Sequence, residues 1–286
     1  MDMHLREMTK LDVPAGLRLN KLAGWNQTDA DWYRFLDVSP AGCFVAEEDA
    51  RILGTATTIS YENRFAWVGM VLVDPEYRKQ GIGTRLLKRT IEYLDQRTIP
   101  TMKLDATPQG QPLYLRLGFV TEYEIERWIL KRPTNTIASV GPSSTVLLND
   151  AQVESILKLD QEIFGADRNF LLKSLRDSSP DLAIGAWSNG LPQGYAFGRS
   201  GLFADQLGPW MAKSQAAAEN LLQEFLTRSL RETLLVDCLS ANPIATELLR
   251  SHGFVHSRRL TRMFRGPNAN PGNPEYLCAI LGPEFG

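Results

Sequence analysis

Val71-Leu72-Val73-Asp74-Pro75-Glu76-Tyr77-Arg78-Lys79-Gln80-Gly81-Ile82-Gly83-Thr84 is the stretch on which the reading of this chain turns. It passes from an apolar strand through a proline-containing turn into a glycine-rich loop. It then enters an amphipathic helix expected over Gly81 to Arg97, with Leu86, Leu87, Ile91 and Leu94 on one face. The first turn of a helix has backbone N–H groups without partners, and the dipole there is positive. Glycines let a ligand approach that backbone closely, so the segment predicts a cradle for a pyrophosphate. Arg78 and Lys79 place positive charge where an anion would sit. Other loops of this kind do not fit. A dinucleotide fingerprint needs a third glycine at position 86, which is leucine. The Gly-Lys-Ser/Thr of a P-loop and the G-x-S-x-G nucleophile elbow are both absent.

Before this stretch, Cys43–Glu47, Ile52–Tyr61 and Phe65–Val73 read as three consecutive antiparallel strands with turns at Asp49–Arg51 and Glu62–Arg64. A short strand from His4 to Met8 and two helices within Val13–Val38 precede them. After the helix come a strand at Met102–Ala106, a brief helix at Pro112–Leu117 stopped by Gly118, and two closing strands, Phe119–Tyr123 and Arg127–Lys131. A segment rich in Pro, Ser, Thr, Asn and Gly follows and predicts a linker over 133–144, dividing the chain into 1–132 and 145–286. The second half repeats the order: strands at Leu182–Trp187, Gly194–Gly198 and Ala204–Trp210, a helix at Gln215–Leu230, a strand at Leu234–Leu239 and a short helix at Ala245–Ser251. Leu86-Leu87 stand before Gly118 as Leu221-Leu222 stand before Gly253, both at an offset of 135 residues. The expectation is a tandem duplication of one α/β fold of the α+β type, each copy a mixed, mostly antiparallel sheet flanked by helices.

Composition bounds the function. With 43% apolar and 22% charged residues the chain is globular, not disordered. A formal net charge of −2 over 286 residues gives no basic footprint for nucleic acid or anionic lipid. The longest apolar run, Phe65–Val73, is far short of the roughly 20 residues that span a bilayer. The first ten residues have no apolar core for a secretory signal, so a cytoplasmic location is expected, with neither membrane nor nucleic acid as partner. Cys43, Cys238 and Cys278 are too scattered for a zinc knuckle or a disulfide framework and read as buried small hydrophobes. His252 and His256 are spaced i, i+4, but Gly253 breaks the helix that would align them, so no metal is expected.

Arg78-x-x-Gly81-x-Gly83, with its V-D-P-E-Y-R lead-in, resembles motif A of the GNAT acetyltransferase superfamily, and Leu113-Tyr114-Leu115-Arg116-Leu117-Gly118-Phe119 resembles the ending of motif B. The resemblance covers residues 4 to 131 and continues in degenerate form through the second half, as in tandem-GNAT proteins. It implies acetyl-CoA as cosubstrate. The backbone of Val71, Leu72 and Val73 would pair with pantetheine and polarise the acetyl carbonyl. The amides of Arg78, Lys79, Gln80, Gly81, Ile82, Gly83 and Thr84 would hold the pyrophosphate. Tyr114 would donate a proton to the leaving thiolate. Thr107 stands where the family commonly has a cofactor-contacting asparagine. Asp105, at the end of its strand beside the splay, is a candidate general base or ammonium anchor. In the second half Gly81 and Gly83 map to Ala216 and Ala218, Tyr114 to Leu249 and Thr107 to Asn242, so one active site, in the first half, is expected. The implied function is transfer of acetyl to a primary amine of a small molecule or peptide by direct attack; the alternative is a non-catalytic acyl-CoA-binding or sensing module. Trp25, Trp32, Tyr33 and Phe35 read mostly as core, some lining an acceptor pocket. Asp29 and Asp31 read as solvated N-caps, and Arg258, Arg259, Arg262 and Arg265 as a solvated strand face.

Overall fold

A computed structural model describes residues 3–133 and 145–286, so the linker expected over 133–144 lies, apart from Pro133, outside the described residues. The first half runs β1 (His4–Glu7), α1 (Val13–Ala23), α2 (Asp29–Val38), β2 (Phe44–Glu48), β3 (Arg51–Tyr61), β4 (Phe65–Val73), α3 (Ile82–Gln96), β5 (Met102–Ala106), α4 (Gln111–Arg116) and β6 (Val120–Lys131). The second runs β7 (Thr145–Leu147), α5 (Asp150–Phe164), α6 (Asn169–Ser178), β8 (Ala183–Ser188), β9 (Leu191–Ser200), β10 (Asp205–Ala212), α7 (Gln215–Arg228), β11 (Thr233–Leu239), α8 (Pro243–Ser251), β12 (Val255–Arg265) and β13 (Leu277–Ala279).

Local chemistry sets these boundaries. Pro14 opens α1, and Gly24, at φ 66°, closes it in the left-handed conformation. Thr28 and Asp31 form a capping box at the start of α2. Asn149 and Gln152 do the same for α5. One expectation is corrected. The two strands expected at Phe119–Tyr123 and Arg127–Lys131 are a single 12-residue strand, β6. No glycine, proline or asparagine interrupts Glu124-Ile125-Glu126, and β6 has a hydrogen-bonded partner on each side along most of its length. Sequence patterning assigns nothing to β7, α5 and α6; the structure places them as counterparts of β1, α1 and α2.

All thirteen strands among the described residues join one sheet, in the order β1-β2-β3-β4-β5-β12-β6-β11-β13-β10-β9-β8-β7. The halves therefore exchange their closing strands. β12 pairs antiparallel with β5, from Thr261 opposite Ala106 to Arg265 opposite Met102. β6 pairs antiparallel with β11, from Thr233 opposite Lys131 to Leu239 opposite Ile125. β6 and β12 meet at the centre. One apolar cluster crosses the same boundary, joining Trp32, Phe35, Tyr61 and Trp67 to Ile156, Phe164, Leu171 and Phe285. Fully burying one such side chain is worth roughly 1.5–3 kcal/mol.

Among the described residues only two strand pairs are parallel, β4 with β5 and β10 with β11, and each pair splays. β4 holds β5 at Ala66 opposite Met102 and Trp67 opposite Lys103, and no further. Beyond that point β4 bulges, because Thr57 faces Gly69 while Thr55 faces Leu72. Met70 takes φ 49° there, and the Thr55 hydroxyl donates to its carbonyl at 2.7 Å. In the second half β10 and β11 pair over Asp205–Leu207 and then part at a similar irregularity between Leu207 and Trp210. Here the gap is filled. β13 inserts, with Ala279 opposite both Trp210 and Cys238.

Candidate functional site

The splay between β4 and β5 opens into a cleft of about 770 Å³. At one end the chain leaves β4 at Asp74, turns, and enters α3. Asp74 is buried and accepts from Glu76 N, from Arg18 at 2.6 Å and from Arg51 at 3.0 Å. Burial pushes its carboxyl up, but Arg18, the Glu76 amide and Arg51 together hold it below the ordinary carboxylate range. This ion-pair hub anchors the base of the loop. Lys79 at φ 63° and Gly81 at φ 82° then turn the backbone, and no side chain caps the N-terminus of α3. A methyl group on Gly83 would stand 3.5 Å from Val73 Cγ2 and 3.9 Å from Leu113 Cδ2, which is ordinary contact. The fold itself does not require glycine at 83.

The predicted residues converge. Val71, Leu72 and Val73 line the cleft along the unpaired edge of β4, and Arg78, Lys79, Gly81, Ile82, Gly83 and Thr84 line its loop end. Gln80 is exposed and is not part of the lining. Thr107, also in the wall, accepts from Gly110 N at 3.2 Å and so shapes the entry to α4. Tyr114 reaches the cleft from α4, its ring edge-on to Phe119 at 6.0 Å, and its hydroxyl bonds no described residue. Burial pushes this phenol above its ordinary range, so it is protonated at neutral pH. Asp105 lines the cleft from the end of β5, where Arg262 of β12 grips both its oxygens at 2.9 Å. Burial pushes the Asp105 carboxyl up, and the guanidinium pulls the other way.

The far wall comes from Arg127 on β6, Arg258 and Leu260 on β12, and Pro283 and Glu284 after β13, of which local sequence reading singles out Arg258 alone, and as a solvated residue. Gln27 joins them and donates to Glu284 at 2.8 Å. Behind this wall Arg199 bridges Glu284 and Asp31, Asp31 also takes Arg34 at 2.7 Å, and Arg127 is bidentate to Asp237 at 2.7 Å. Two expectations are corrected by this network. Asp31 takes part in the α2 capping box but is a buried ion-pair member rather than solvated, and Arg262 is buried and Arg258 half-buried in the cleft wall rather than on a solvated face. Packing of the two halves is the cause: the exchanged β12 lies against β5, and Arg199 of β9 reaches Asp31 of α2. Of the four early aromatics, Trp25 lines the cleft, Trp32 and Phe35 are fully buried, and Tyr33 is exposed.

The second half has the same frame without the opening. Ser214 caps α7 with its own hydroxyl, accepting from Ala217 N, so its first turn is spoken for near Ala216 and Ala218. Leu249 is buried in the core. Asn242 donates its amide to Leu277 O at 3.1 Å, holding β13 in the gap. Ile280 N adds a bond to Asp237 O at 3.0 Å. After plugging this gap the same segment crosses to the first half, where Trp67 donates to Pro283 O at 2.9 Å and Phe285 stacks on Phe35 at 4.7 Å. Among the described residues no cluster of His, Cys, Asp and Glu is arranged to hold a metal, and no helix is long and apolar enough to cross a membrane. The three cysteines are free and buried, and burial raises the Cys43 and Cys278 thiols to about 12.

A splayed parallel strand pair followed by a helix, present twice, with the helix uncapped and glycine-entered in the first copy, defines a tandem acyltransferase fold. Residues 10–119 match the Acetyltransferase (GNAT) family and residues 156–279 match an Acetyltransferase (GNAT) domain. The chain belongs to the GNAT acetyltransferase family, with two GNAT domains in tandem. It is 24% identical over 263 residues to a holothin acyltransferase of Pseudoalteromonas sp. (strain SANK 73390), covering 92% of this chain and 87% of that protein. It is 28% identical over 231 residues to YitH, an uncharacterized N-acetyltransferase of Bacillus subtilis (strain 168), covering 78% and 77%. The crystal structure of a putative acetyltransferase from Pyrococcus horikoshii superposes with a TM-score of 0.82 at 23% identity, covering 99% and 96%, a likeness of fold.

Proposed function

We propose that this protein transfers an acetyl group from acetyl-CoA to a primary amine by direct attack, at one site carried by residues 1–132 and walled by residues 145–286. The observation that carries this reading is the asymmetry of the two splays. The one that leads from an uncapped helix start is open and lined by Tyr114, while its counterpart is filled by β13.

On this reading the α3 amides from Gly81 to Thr84, with Arg78 and Lys79, bind the diphosphate of the cosubstrate. The unpaired edge of β4 from Val71 to Val73 bonds the pantetheine arm and directs an N–H at the thioester oxygen, where negative charge develops. The amine nitrogen adds to the carbonyl carbon. The C–S bond then breaks with its electron pair leaving on sulfur, and Tyr114 gives its proton to that thiolate. The proton lost by the amine passes to a carboxylate at the acceptor end. Asp105 is the candidate, oriented by Arg262 and raised by burial. Thr107 stays in the cofactor wall as a shaping residue. Three free thiols suit a reducing cytosol.

Release of free CoA from acetyl-CoA over a panel of amines, together with melting in the presence of CoA, tests the reading. Binding at 100 times Kd stabilises by about 2.7 kcal/mol, a visible shift. Shift plus turnover supports transfer. Shift without turnover on any amine or peptide marks a binding or sensing module, and no shift overturns both. Asp105→Asn is expected to lower kcat and remove the acidic limb of the pH–rate profile; an unchanged profile takes Asp105 out of the chemistry.

A further inference from the structure

Charges around the far wall of the cleft balance with one exception. Arg34, Arg127, Arg199 and Arg262 are each held by a buried carboxylate, drawn from Asp31, Asp105, Asp237 and Glu284, so four guanidiniums meet four carboxylates. Arg258 is the fifth guanidinium here and meets none. It sits on β12 directly opposite Arg127 of β6, lines the cleft, and has a buried Nε with no partner among the described residues. A buried, unpaired donor beside a like charge is costly to a fold, and such positions are kept where something else completes them. Burial, and Arg127 next to it, lower this guanidinium to about 10, so it is still charged at neutral pH. Arg127 contributes as well. Its Nε and Nη2 are spent on Asp237, while its Nη1 bonds no described residue, and the side chain lines the cleft.

We propose that the acceptor amine carries a carboxylate, and that Arg258 together with Nη1 of Arg127 receives it. This rests on the acetyl-transfer reading and narrows its substrate to an amino carboxylate. One unmatched positive charge suits a monoanion; a phosphate dianion would overfill it. Leu260, between Arg258 and Arg262 along β12, also lines the cleft and gives a carbon stem an apolar surface. The stem then leads from the two guanidiniums toward the end of β5, where Asp105 lies, and the amine meets the thioester there. Arg258 is thus a specificity-determining residue.

The full-length protein is assayed for CoA release with glycine, β-alanine, γ-aminobutyrate, δ-aminovalerate and ε-aminocaproate, each against its carboxamide. A charge-assisted bidentate contact predicts that at least one acid exceeds its amide by about 10-fold or more in kcat/KM, mainly through KM. Arg258→Met is expected to bring that ratio near one while CoA still raises its melting temperature, which shows that it folds, and Arg258→Lys to restore part of the ratio. Acids no better than amides at every length, or an undiminished ratio in Arg258→Met, overturns the proposal and leaves acetyl transfer standing. If no amine turns over, calorimetric titration of the CoA-saturated protein with the same pairs decides the question, and equal or absent binding of acid and amide also overturns it. Failure of CoA itself to bind is a different result and removes the underlying acetyl-transfer reading.

Discussion

Gly83 separates what the fold needs from what a ligand needs. Because a methyl there meets only ordinary contacts, Gly83→Ala is expected to fold and to gain up to about 1 kcal/mol of helix propensity in α3. The same methyl stands at the helix end where the diphosphate is expected, so the melting shift produced by CoA should shrink and Kd rise by about 10-fold or more. A variant that melts higher and binds CoA as tightly as before would show that the loop serves only the turn. Gly81→Ala gives a contrasting result, since φ 82° costs a non-glycine residue about 1–2 kcal/mol. Tyr114→Phe probes the chemistry instead. If the phenol protonates the thiolate, kcat falls by about 10²–10⁴ while the KM for acetyl-CoA changes little. Candidates of this kind are legible in sequence because the patterns that mark them are local: Arg78, Gly81, Gly83 and Tyr114 sit within two short motifs. Arg262 is not legible. Its partner Asp105 lies 157 positions away, and among scattered arginines on a strand nothing marks which one will be buried.

At the scale of elements, the opening of the cleft depends on how β4 ends. Thr55 pins the bulge at Met70, and Asp74 ties the loop that follows to α1 through Arg18 and to β3 through Arg51. The Asp74 carboxyl is held below its unfolded value, near 3.8, so its ion pairs stabilise the folded state fully above that value. The contribution is lost as pH falls through the lower, folded-state value. Asp74→Asn should therefore melt lower than the parent near neutral pH, with the two curves converging below about pH 4. Parallel curves across the whole range would show that the charge on Asp74 does no stabilising work. Elements with strong local signals, such as the α3 face or the β2–β3–β4 meander, follow directly from periodicity and turns. β13 does not. Leu277-Cys278-Ala279 is a three-residue strand with no alternation to detect, and its place in the sheet is set by Asn242 and by the gap between β10 and β11.

At the scale of the whole molecule, strand exchange joins the two GNAT domains in one continuous sheet. β12 completes the sheet beyond β5 and β6 completes it beyond β11, while β13 seals the second splay and the segment after it forms a wall of the first. The offset of 135 residues tells that the fold is repeated, yet it carries no information about which copy receives each closing strand, because both copies have the same strand pattern. A fragment of residues 1–132 lacks β12 beside β5 and leaves β6 without either of its partners; it also exposes Trp32, Phe35 and Trp67, which pack in a cluster with second-half residues. An unpaired, apolar strand edge favours aggregation over folding. The fragment is therefore expected to give no cooperative melt and no shift with CoA, and the complementary fragment of residues 145–286 likewise. Co-expression of the two should restore both, since no covalent continuity through 133–144 is needed for the strands to pair. The intact chain is expected to unfold in one transition by fluorescence and circular dichroism together. Two separated transitions, or a 1–132 fragment that melts cooperatively and binds CoA by itself, would mean that the exchanged strands decorate two self-sufficient domains rather than hold one structure together.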